Sequence, residues 1–136
     1  FVTQAANDFP LTIYGEGGQK RAFIHISDTA ECIKLALEND EFDNRKVRIY
    51  NQISEVLSVK EIADIIANQY NTKIDLVENP RKELAKNELE VSNKGLKSLG
   101  FNPILLSNSL LNDIKLLANL THNNFNKKNV LSSPRW

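Results

Sequence analysis

Three of the chain's five glycines, Gly15, Gly17 and Gly18, fall within four consecutive positions. Short β-branched and aromatic runs flank them, Leu11-Thr-Ile-Tyr14 before and Arg21 to Ile26 after, and both read as strands. A loop this rich in glycine admits positive φ and lets another group come close to its backbone. A strand follows it rather than a helix, so G-x-G-G fails the context of a dinucleotide-binding fingerprint. Two readings remain. One is a hairpin-like turn joining neighbouring strands. The other is a loop that wraps an anionic ligand, with backbone N–H groups and Arg21 as donors. The planar guanidinium fork suits a diphosphate because it donates two bonds at once.

The remaining elements follow from periodicity and end signals. Phe1 to Asn7 reads as the tail of a helix. Asp28-Thr-Ala-Glu31 has the form of a capping box, opening a helix with Ala30, Ile33, Ala36 and Leu37 on its apolar face and fraying into the acidic run Glu38 to Asp43. Lys46 to Asn51 reads as a strand with Val47 and Ile49 on one side. Ser58-Val-Lys-Glu61 is a second capping box, followed by Ile62, Ala63, Ile65 and Ile66 at helical spacing. Lys73 to Val77 is a strand, ended by Asn79-Pro80. Ser92 opens a short helix that Gly100 stops. Ser107 starts a last helix with Leu110, Leu111, Ile114, Leu117 and Ala118 inward, and residues 123–136 form a polar tail. The strand Arg21 to Ile26 is apolar at odd and even positions, so burial on both faces is expected.

Several classes of function fall away. Seventeen basic residues balance seventeen acidic ones, so no bulk field draws the chain to nucleic acid or an anionic membrane. The one cysteine, Cys32, forms no internal disulfide, which suits a reducing compartment, and its apolar neighbours make it a core residue. His25 and His122 lack companions at ligand spacing, so no metal site is expected. His25 reads as a buried, satisfied histidine. The chain contains no methionine and opens on apolar structure already under way, which points to a piece of a longer protein. A second arginine, Arg81, follows Asn79-Pro80. The proline stiffens its approach, and the alternative is a solvated side chain in a charged stretch.

The order of motifs adds a resemblance. PLTIYG, then GGQ-x-R, then the FIHISDTA junction resembles the C-terminal part of extended short-chain dehydrogenases, the NAD-dependent epimerases and dehydratases of nucleotide sugars. Within them, F-x-x-QAA, GEGGQKR, SDTAECI, YNQISEVLSVKEIA, NPRKE and LSNSLL look like the UDP-sulfoquinovose synthase subgroup. His25 and Ser27 depart from it, standing where the subgroup usually has an acidic residue and an arginine.

The resemblance implies an α/β fold of short strands with flanking helices, the substrate-binding part of such an enzyme without its Rossmann half. Residues 1–122 would bind the UDP-sugar. NAD and the catalytic groups would belong to the missing N-terminal part, leaving no catalytic residue here and an inactive fragment. The strand containing Thr12 and Tyr14 would line the uracil, Gln19 would lie near the nucleotide, and Arg21 and Arg81 would grip the diphosphate. Asn51 would end a strand bordering the same cleft, and Glu83 would stand near the sugar. The implied partners are UDP-glucose or a related UDP-sugar, and sulfite. The implied setting is a homodimer of the full-length protein in the cytoplasm, or in a plastid stroma. Other UDP-sugar epimerases or dehydratases, a non-catalytic nucleotide-sugar sensor and a plain interaction domain are the competing readings.

Overall fold

A computed structural model describes residues 1–39, 47–81 and 84–121. The chain runs α1 (Val2–Ala5), β1 (Leu11–Tyr14), β2 (Lys20–Phe23), α2 (Ile26–Glu38), β3 (Glu55–Ser58), α3 (Val59–Tyr70), β4 (Ile74–Val77), α4 (Lys94–Ser98), a π-helical turn (Leu106–Leu110) and α5 (Leu111–Thr121). The fold is α/β, as expected. Among the described residues no helix is long and apolar enough to cross a membrane.

The two strands around the glycines do not pair with each other, which rules out the hairpin reading. Instead β1 pairs in parallel with β4, Leu11 opposite Ile74 and Tyr14 opposite Val77. Strand β2 pairs antiparallel with β3, Lys20 opposite Ser58 and Phe23 opposite Glu55. Alternation along β1 sends Leu11 and Ile13 into a core with Ala5, Ala63, Ile66 and Ala67, and leaves Thr12 and Tyr14 on the other face. Helix α3 covers this core and begins where expected, on a complete capping box. Glu61 N–H donates to Ser58 Oγ at 3.1 Å, and Ser58 N–H donates to Glu61 Oε2 at 2.6 Å. It ends at Asn71, in the left-handed region at φ 50°.

A second cluster joins Cys32, Leu96 and Phe101, with Ile24, Leu35 and Tyr50 against it. Gly100, at φ 98°, closes α4 in a Schellman motif: Phe101 N–H donates to the Leu96 carbonyl and Gly100 N–H to that of Lys97. The contact of Phe101 with Leu96 completes it.

Four expectations need correction. The first concerns Asp28, which does not cap α2. That helix starts at Ile26, with His25 as its N-cap, the imidazole Nδ1 accepting from Ser27 N–H at 3.2 Å. Asp28 is instead buried, and its Oδ2 accepts from Ser54 Oγ at 2.7 Å and from Ile104 N–H at 2.8 Å. A buried carboxylate must find donors, and these come from two other segments, so Asp28 ties α2 to the approaches of β3 and the π-turn.

The second follows from the first. With Asp28 and Cys32 facing in, Ile26, Ala30, Ile33 and Leu37 face out, and Ile26 is 79% exposed. Third, β2 is shorter than expected and mostly exposed. Fourth, residues 47–51 form no strand, and Val47 and Ile49 are 90% and 86% exposed. Their alternation is real, but no described strand lies alongside to pair with them. Strand β3 carries no such pattern and is legible only from its pairing. Among the inward positions expected of the last helix, only the Ala118 side chain is described, and it is buried. The polar tail and residues 40–43 of the acidic run lie outside the described residues.

Candidate functional site

Parallel pairing decides where the site lies. Strands β1 and β4 leave the sheet at the same end, and Gly15 N–H continues the ladder onto the Val77 carbonyl at 2.8 Å. The glycine loop therefore emerges beside Glu78 to Arg81. Asn79 shapes that second exit, its Oδ1 accepting from Arg81 N–H at 3.0 Å. The N-terminus of α3 closes the far side. Lys60 N–H donates to the Gly17 carbonyl at 2.9 Å and Val59 N–H to that of Gln19 at 3.0 Å.

Between these walls is a cavity of about 420 Å3 lined by Thr12, Tyr14, Gln19, Arg21 and Arg81, with Phe1, Ile13, Val59, Asn79 and Pro80. A second lobe of about 260 Å3 adjoins it, sharing Tyr14, Gln19, Asn79 and Arg81 and adding Gly15 to Gly17, Leu84 and Ala85. Both arginines line the first lobe, which has no carboxylate among the described residues of its wall. Glu16 lines only the second. An anionic group is thus favoured in the first lobe and disfavoured beside Glu16.

Three of these side chains have a described support. Arg21 donates from one Nη to the Lys20 carbonyl and from the other to Gln19 Oε1, each at 3.0 Å. Gln19 in turn donates from Nε2 to the Leu84 carbonyl at 3.4 Å. Thr12 is held from below by Gln4: its N–H donates to Oε1, and Gln4 Nε2 donates to Thr12 Oγ1, each at 3.3 Å. Sequence reasoning gave Gln4 no role, although it lies in the F-x-x-QAA stretch. The buried amide and its spacing from β1 are its only signal.

Of the residues singled out from sequence, Thr12, Tyr14, Gln19, Arg21 and Arg81 come together in one cavity. Asn51 does not line either lobe. Its Nδ2 donates to the Ser92 carbonyl at 3.1 Å, on the side of the second cluster, because the strand expected to bring it to the cleft is not formed. Glu83 lies outside the described residues.

Neither lobe fits NAD by the usual device. The glycine loop leads into β2, and α3 meets it with the first turn already bonded to the Gly17 and Gln19 carbonyls. No helix N-terminus is left open there for a dinucleotide's diphosphate.

Comparison with known proteins agrees with this architecture. Residues 1–51 match the profile of the NAD dependent epimerase/dehydratase family, and the chain belongs to that family. More particularly, it is similar to UDP-sulfoquinovose synthases. It is 33% identical over its whole length to the chloroplastic enzyme of Spinacia oleracea, of which it covers 29%. It is 35% identical over 86% of its length to that of Sulfolobus acidocaldarius, of which it covers 30%. The chain thus spans under a third of the length of these relatives. In fold it resembles the UDP-glucose 4-epimerase of Thermotoga maritima solved with UDP-glucose, at TM-score 0.67 and 15% identity over 89% of this chain and 38% of that one. It also resembles the UDP-glucuronic acid 4-epimerase of Bacillus cereus solved with UDP-glucuronic acid and NAD, at TM-score 0.62 and 20% identity over 91% of this chain and 38% of the other.

Proposed function

We propose that this chain binds the UDP-sugar of an NAD-dependent nucleotide-sugar enzyme, and that the enzyme is a UDP-sulfoquinovose synthase. The observation that carries the binding role is the meeting of Arg21 and Arg81 on one cavity, from elements distant in sequence. The two guanidinium groups hold the diphosphate by charge-assisted bonds. Thr12 and Tyr14, on the half-buried face of β1, lie along the uracil. The sugar then lies toward the lobe walled by Leu84 and Ala85.

The net conversion is UDP-glucose and sulfite to UDP-sulfoquinovose and water, a proton being taken up with the sulfite dianion. No residue of this chain is assigned to NAD or to the chemistry at the sugar. Its contribution is to hold the nucleotide so that the glucose carbon that gains sulfur is presented at a fixed place, the use of remote binding energy to orient a reacting centre.

The subgroup assignment rests on the two synthase relatives, and the test is on the full-length protein. Incubated with UDP-glucose, sulfite and NAD, it forms a product heavier by the exchange of a hydroxyl for a sulfonate, read by mass spectrometry. Conversion of a UDP-sugar without uptake of sulfur assigns it to another epimerase or dehydratase. Binding of UDP with no conversion leaves the sensor reading.

A further inference from the structure

Strand β2 has β3 on one edge. On the other edge its partner is a side chain. Lys20 N–H donates to Asn87 Oδ1 at 2.6 Å, and Asn87 Nδ2 donates to the Lys20 carbonyl at 3.2 Å. One carboxamide thus stands in for a neighbouring strand, at the residue just before Arg21.

Two further contacts lie alongside. Gln19 Nε2 reaches the Leu84 carbonyl, and Gly18 forms an isolated parallel bridge with Lys86. A Cβ on Gly18 would stand 2.8 Å from the Ala85 carbonyl oxygen and 2.8 Å from Lys86 Cγ, so the approach requires glycine. Leu84 to Asn87 is therefore stitched along Gly18 to Lys20. Leu84 and Ala85 wall the second lobe, and Arg81 precedes Leu84 by three positions. Asn87 itself lines neither lobe.

We propose that Asn87 is a positioning residue, a latch that fixes the Leu84–Asn87 segment against β2 and so sets the separation of Arg81 from Arg21 before a nucleoside diphosphate arrives. The inference rests on the diphosphate reading of the cavity. A clamp already at the right width loses little freedom on binding, whereas a loose one must be ordered at the expense of affinity. The latch also explains why a glycine stands at position 18: it admits protein backbone, not ligand.

The test uses the full-length protein with Asn87→Ala, Asn87→Asp and, as a control on the cavity, Arg21→Ala. Hydrogen exchange is followed without nucleotide in peptides covering residues 17–20 and 84–87, and affinities for UDP and uridine are measured. Asn87→Ala speeds exchange in both segments and weakens UDP about tenfold, while uridine binding stays unchanged. Asn87→Asp falls between, because its carboxylate still accepts from Lys20 N–H but has nothing to donate to the Lys20 carbonyl. The latch is overturned if Asn87→Ala leaves exchange or UDP affinity at the wild-type value while Arg21→Ala weakens UDP. If Arg21→Ala itself leaves UDP unchanged, the diphosphate reading fails, and the positioning role fails with it.

Discussion

Tyr14 and Val77 are register partners at the ends of two parallel strands. Antiparallel pairing would have sent the glycine loop and Asn79 to Arg81 to opposite ends of the sheet. Parallel pairing places them on one rim, and the shared cavity follows from it. Arg21 is then brought in by the turn from Gly15 to Gln19, whose carbonyls at Gly17 and Gln19 are docked on the first N–H groups of α3.

The first prediction concerns those arginines. A hydrogen bond to a charged group contributes about 1.5–3 kcal/mol, roughly 10- to 100-fold in affinity. In the full-length protein Arg21→Ala and Arg81→Ala each weaken UDP by that factor and leave uridine nearly unchanged. Lysine at either position recovers part of the loss, since it supplies the charge without the fork. Calorimetric titration of both ligands measures this. Equal losses for UDP and uridine would place the arginines elsewhere than on the phosphates.

Much of this was legible beforehand, and what was not has identifiable causes. Strands β1 and β4, the capping box at Ser58 and the stop at Gly100 are local matters, set by side chains within a few residues. Pairing partners are not local. Nothing in LTIY says that IDLV, Ile74 to Val77, lies beside it, so the common rim of Arg21 and Arg81 could be expected from the family resemblance but not from local pattern. Asp28 misled because a D-x-x-E spacing describes an exposed helix end, whereas its donors at Ser54 and Ile104 are tertiary. Asn51 was tied to a strand whose alternation is plain in the sequence. A strand needs a neighbour, and the described residues supply none.

Gly17 gives a stability prediction. It sits at φ 70°, and a Cβ there would lie 3.0 Å from Ile13 Cγ2 and 3.1 Å from the Lys60 backbone nitrogen. Neither neighbour can withdraw without disturbing the core or the start of α3. Gly17→Ala therefore combines backbone strain with a steric shift and destabilises by about 1–3 kcal/mol. Denaturant melts of the full-length protein read it as a lower midpoint. An unchanged midpoint would show that the loop can move away from α3.

The Ser58–Glu61 box predicts a pH dependence. Bonds from Ser58 hold the Glu61 carboxyl below the usual glutamate range. A pKa lowered in the folded state means stability that is full above the unfolded pKa and is lost as pH falls through the folded one. Ser58→Ala costs about 1 kcal/mol at pH 7. Glu61→Gln keeps an acceptor but does not titrate, so its deficit against wild type shrinks on acidification below the ordinary glutamate range. A deficit constant from pH 7 to pH 3 would remove the ionic part of the cap.

The outward stripe of α2 predicts how this chain behaves expressed by itself. Ile26, Ala30, Ile33 and Leu37 follow one helical face and lie exposed. Contiguous apolar surface of this kind attracts other apolar groups. The chain alone binds an apolar fluorescent dye, and Ile33→Glu with Leu37→Glu lowers that signal without lowering helix content by circular dichroism. Dye binding unchanged by the double substitution would place the sticky surface elsewhere.

Tyr70 offers the opposite sign of effect. Its ring packs against the first core cluster, and its hydroxyl is buried with no hydrogen-bond partner among the described residues. Burial also pushes its pKa up, since the phenolate would be still harder to desolvate than the phenol. An unsatisfied buried hydroxyl costs about 1–3 kcal/mol, and Tyr70→Phe removes it while keeping the ring. The substitution is expected to raise the denaturation midpoint or leave it unchanged, against the usual trend for a core position. A fall of about 1 kcal/mol or more would mean that the hydroxyl is bonded in solution, to a water or to a part of the protein outside this chain.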